Sequence, residues 1–68
     1  MRLREERLRR GWSQTRVAAL SGIASPDVSA LERGVKPVYP GWRRRLAEVF
    51  GMTEEELFGP AAPAEGQR

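Results

Sequence analysis

The chain has 68 residues, a formal net charge of +3, no cysteine and no histidine. That is one small domain without a disulfide framework, a thiolate or imidazole metal site, or the commonest general base, so neither a metal nor a cofactor is expected. Charge is uneven: residues 1–51 carry eleven basic side chains against five acids, a balance of +6, whereas residues 52–68 carry one against four, a balance of −3. A basic body of this kind is expected to meet a polyanion. No stretch approaches the roughly 18 apolar residues of a membrane span, and Met1 to Glu6 lack the apolar core of a signal peptide, so a cytoplasmic location and no membrane partner are expected.

Glycine and proline divide the sequence into five short periodic pieces, and β-branched residues never alternate as a strand requires, so the expected class is all-α with five helices. The first piece, Arg2 to Arg10, places Leu3, Arg7 and Leu8 on one side and stops at Gly11. The second opens at Ser13 as N-cap, runs Val17, Ala18 and Leu20 along one face, and ends at Ser21-Gly22. The third opens at Ser25-Pro26-Asp27, with Ser25 read as its cap, and closes at Gly34. Its apolar Val28 and Leu31 turn inward, which leaves Pro26, Ser29, Ala30 and Arg33 facing solvent or a partner. After the loop Val35 to Tyr39, a fourth helix begins near Pro40 and presents Trp42, Leu46, Val49 and Phe50 as a core stripe. The fifth carries Thr53 and Glu56 in capping-box register and ends near Leu57-Phe58. From Gly59 onward no apolar period remains, so the expected division is an ordered domain over 1–58 and a disordered tail over 59–68.

The most informative stretch runs from Gln14 to Arg33. Ala18 is small enough for two helices to cross closely, Gly22 permits a left-handed turn, and Val17, Ile23, Val28 and Leu31 anchor the angle between the helices. Here the chain resembles the phage-repressor and Cro-like (XRE-type) helix-turn-helix family. Gly11-Trp12-Ser13-Gln14, Leu31-Glu32-Arg33-Gly34 and Leu46-Ala47-Glu48-Val49-Phe50-Gly51 match its pattern in order and spacing, and the resemblance covers residues 3–58.

The resemblance implies a five-helix domain that binds double-stranded DNA, with helix two across the backbone and helix three in the major groove. It implies that Gln14 meets a phosphate, that Ser25, Pro26, Ser29 and Ala30 face base edges with Asp27 beside them, and that Arg33 and Lys36 reach phosphates. It also implies a buried ion pair between Arg7 and Glu32. Base readout usually relies on Arg, Lys, Asn or Gln, so direct readout by this helix is expected to be weak, and Asp27 could either accept from cytosine or repel phosphate. Arg43-Arg44-Arg45 resembles a phosphate clamp, but consecutive residues fan around a helix, so only one or two can reach DNA; Arg43 is the expected contact. Glu54-Glu55-Glu56 reads as first-turn capping acids rather than metal ligands.

No enzyme is expected, because Ser13, Ser21, Ser25 and Ser29 have no histidine to activate them. The function expected is a sequence-specific DNA-binding regulator of the repressor type, acting as a homodimer whose recognition helices lie about 34 Å apart. Met52, Leu57 and Phe58 are candidates either for that subunit contact or for closure of the monomer core. The alternative is a protein-interaction module, such as an antitoxin or a regulator-binding protein, that holds a protein partner with the same fold.

Overall fold

Each stop signal in the sequence ends a helix in the computed structural model, which describes residues 1–59. The order is α1 (Leu3–Arg9), α2 (Gln14–Ser21), α3 (Ser25–Glu32), α4 (Pro40–Phe50) and α5 (Glu54–Phe58), and the described residues contain no strand. The tail expected over 59–68 lies, from residue 60 onward, outside the described residues. Two caps form as their residue types require. Ser13 accepts the Arg16 N–H at the start of α2, and Thr53 and Glu56 form the reciprocal capping box of α5.

Three local expectations give way to the structure. Ala24 rather than Ser25 is the N-cap of α3: its carbonyl accepts the N–H groups of Asp27 and Val28 at 2.9 and 3.0 Å, so Ser25 is already helical. Leu8 and Leu20 are exposed instead of lying on buried faces. The buried flank of α1 carries Leu3, Glu6 and Arg7, and that of α2 carries Val17 and Ser21. Ser21 can be buried because its hydroxyl donates to the Val17 carbonyl at 2.7 Å and accepts the Ile23 N–H at 3.2 Å.

All five helices contribute to one core of Leu3, Val17, Ile23, Val28, Leu31, Leu46, Phe50 and Leu57, with Trp12, Trp42, Val49, Met52 and Phe58 packed against it. Leu57 is fully buried there, so it closes the monomer and is not a subunit contact. The ends of the bundle meet directly: the Arg2 N–H donates to the Leu57 carbonyl at 2.8 Å, which sets α5 against the start of α1.

Candidate nucleic-acid interface

The helix pair α2–α3 is set by its turn. Gly22 has φ +76°, a left-handed conformation that strains any residue with a Cβ, and its N–H donates to the Ala18 carbonyl at 2.8 Å to end α2. From α4, Arg45 donates to the Ser21 carbonyl at 3.3 Å and so steadies the same corner. With the turn fixed, Val28 and Leu31 point wholly into the core. The opposite side of α3 is left outward: Pro26 and Arg33 are exposed, and Ser25, Ser29 and Ala30 are half-buried.

Polar contacts tie this surface together. The Arg33 guanidinium folds back along the helix and donates to Ser29 Oγ at 2.6 Å. At the other end Lys36 Nζ stands 2.7 Å from Asp27 Oδ1 and 5.7 Å from the centre of the Trp42 ring, so the loop after α3 is clipped to the helix's first turn. Below the surface, Arg7 grips Glu32 with two bonds, Nε to Oε2 at 2.7 Å and Nη2 to Oε1 at 3.1 Å. Gln14 adds a third from its amide at 3.1 Å, and Arg7 also donates to the Trp12 carbonyl at 2.9 Å.

Burial pushes the Glu32 carboxyl up, but hydrogen bonds from Arg7 and Gln14, with the charges of Arg7 and Arg4, outweigh it and hold the group below its ordinary value. The bond to Glu32 raises the Arg7 pKa in return. Both groups therefore stay charged and cancel. Above them lies a recess of about 300 Å³ lined by Arg4, Arg7, Gln14, Ser29, Glu32 and Arg33. Its only acid is already neutralised, while Arg4 and Arg33 are exposed, so its balance favours an anion.

A family model described as a helix-turn-helix domain matches residues 1–57. The chain belongs to the helix-turn-helix domain family. Comparison with curated proteins and with solved structures finds no match. Membership supports a DNA-binding regulator.

Within this helix-turn-helix domain, the residues singled out in the sequence fall into three groups. Ser25, Pro26, Ser29, Ala30 and Arg33 share the outward side of α3, with Asp27 and Lys36 paired at its edge. Gln14 sits in the recess at the start of α2 with its amide turned to Glu32. Arg43 belongs elsewhere. Its guanidinium donates to Glu54 Oε1 at 3.1 Å and to the Gly59 carbonyl at 2.6 Å and lies over the Phe58 ring, with the side chain only 14% exposed. It fastens α4 to α5. The triplet thus separates: Arg43 binds α5, Arg45 binds the end of α2, and Arg44 is exposed. Arg4 was missed by sequence reasoning; its signal was its place one helical turn before Arg7, which puts both on the recess side of α1.

Proposed function

We propose that this helix-turn-helix domain is a sequence-specific regulator of transcription that lays α3 in the major groove of double-stranded DNA. The observation that carries the reading is the side of α3 turned away from the core, which bears short side chains between Ser25 and Ala30, the one charge among them, Asp27, being paired with Lys36, and ends on a basic recess flanked by Arg4 and Arg33. Short side chains let the helix approach base edges closely, and the arginines supply phosphate contacts that hold it there. The domain acts as a cytoplasmic homodimer that represses by occlusion, since one such domain makes few phosphate contacts and two place their helices about one DNA turn apart.

The test is a gel-shift titration with operator and scrambled duplexes over a salt series, the operator first being selected from a random pool. Binding should fall steeply with salt. Arg33→Ala should flatten the log–log slope by about 0.9 and weaken both duplexes alike. Ser29→Ala should lower only the operator preference, by about 1 kcal/mol or less. Arg43→Ala should leave the slope unchanged. If Arg33→Ala and Ser29→Ala leave every affinity unchanged, α3 does not enter the groove, and a protein-interaction role replaces the DNA-binding one.

A further inference from the structure

A carboxylate at the edge of a DNA-facing helix is ordinarily a liability, because each phosphate it nears repels it. Asp27 occupies such a place. It lies in the first turn of α3, one residue after exposed Pro26 and about 60° round the helix from Ala30. Its charge is answered locally, since Lys36 Nζ lies 2.7 Å from Oδ1, and Lys36 is itself steadied over the Trp42 ring. Only Oδ1 is taken by that bond, and the carboxylate is 30% exposed. A carboxylate accepts only, and among the described residues no hydrogen bond reaches Oδ2, so the opening turn of the helix keeps a spare acceptor.

We propose that Asp27 is the specificity-determining acceptor of the recognition helix, that it reads the amino group of a cytosine in the major groove, and that Lys36 is its positioning residue rather than a phosphate contact. Cytosine fits better than adenine. Both present an amino donor in the major groove, but adenine sets the N7 acceptor beside it, where it would face the carboxylate's lone pairs. Lys36 holds the carboxylate in one rotamer and cancels the charge that would otherwise be repelled by the flanking phosphates. The hydrogen bond that Lys36 donates to Asp27 also raises the Lys36 pKa, so the ammonium stays charged throughout the physiological range. This inference rests on the DNA-binding reading.

The experiment selects bound duplexes from a random pool with the wild-type chain, Asp27→Ala and Asp27→Asn, each first shown to be folded by its thermal unfolding. The wild type should enrich cytosine at one position of each half-site, with about tenfold preference over the other bases. Asp27→Ala should lose that preference while binding scrambled duplex as well as or better than the wild type. Asp27→Asn, which can both donate and accept, should move the preference towards adenine. An unchanged base profile in both variants, with affinity rising uniformly, overturns the proposal by showing that Asp27 only repels.

A second measurement separates the role of Lys36. Lys36→Gln should weaken binding strongly in the wild-type background and much less in the Asp27→Asn background, where no charge needs answering. Equal losses in the two backgrounds would make Lys36 an independent phosphate contact and overturn its positioning role. If no variant binds any duplex, the DNA-binding reading itself fails, and the inference falls with it.

Discussion

Glu6 and Arg7 are neighbours on α1 and both are buried, at 2% and 8% exposure, yet they are compensated in opposite ways. Arg7 turns towards α2 and α3, where one acid 25 residues away answers it and nothing else can. Glu6 turns towards a ring of arginines. Arg10 lies at 2.7 Å, Arg2 at 2.9 Å and Arg9 at 3.4 Å, all within one helical turn. The first arrangement is a long-range clamp with no substitute; the second is local and redundant. The difference shows that a buried charge joins parts of a fold only when its partner comes from elsewhere in the chain. Around Glu6 that task falls to Arg10, which also donates to the Phe50 carbonyl at 2.8 Å and stacks over the Trp12 and Phe50 rings.

The largest effect expected from this contrast is at Arg7. Arg7→Ala leaves Glu32 buried and uncompensated and should cost about 3–5 kcal/mol in chemical denaturation, whereas Arg7→Met with Glu32→Leu should come back close to the wild type. Arg10→Ala comes next, at about 2 kcal/mol, because it removes one charge-assisted bond across to α4 and two ring contacts. Arg2→Ala and Arg9→Ala should each shift stability by no more than about 0.5 kcal/mol, since both side chains are more than half exposed and Glu6 keeps its other partners. If Arg9→Ala were as damaging as Arg10→Ala, the redundancy around Glu6 would be refuted.

Acid joins the two sites in one titration. The hydrogen bond from Arg10 chiefly holds Glu6 below its ordinary value of 4.5, against the upward push of burial and with help from Arg9 and Arg2, and Glu32 is held low as well. A carboxyl whose folded pKa is depressed contributes stability that is whole above the unfolded value and is lost as pH falls through the folded one. The melting temperature should therefore show no loss from these two groups between pH 8 and pH 5 and should drop below about pH 4.5. Glu6→Gln should shallow that acid limb, and a limb unchanged by the substitution would place the titrating groups elsewhere.

Much of the fold could be read in the sequence because the signals were local. Gly22 and Gly51 end helices with left-handed backbone, Thr53 and Glu56 cap α5, and Trp42, Leu46, Val49 and Phe50 lie at or against the core as their period requires. The misses came where i+3 and i+4 spacing compete or where a charge is buried. On α2 the stripe could run from Val17 to Leu20 or to Ser21, and hydrophobicity favours leucine; the fold chooses serine because its hydroxyl is satisfied at once by neighbouring backbone. The burial of Glu6 has no signal in hydrophobic spacing; it follows only from the arginines at helical spacing on both sides of it. Charge alone marks Arg43 as a phosphate contact, and its bonds to Glu54 and the Gly59 carbonyl depend on the arrival of α5, which no local pattern announces.

The bond between the Arg2 N–H and the Leu57 carbonyl has a kinetic meaning. α1 has seven residues and α5 five, far below the roughly 12–15 at which a helix begins to persist alone in water. Each therefore depends on tertiary contacts, α1 on Glu32 and the Phe50 carbonyl, α5 on Arg43, and both on the bond between them, so fraying at either end loosens the core at Leu3 and Leu57. The slowest-exchanging amides of α1 and α5 should then share one opening event with those of α3, and hydrogen exchange should find a single cooperative unit in this domain.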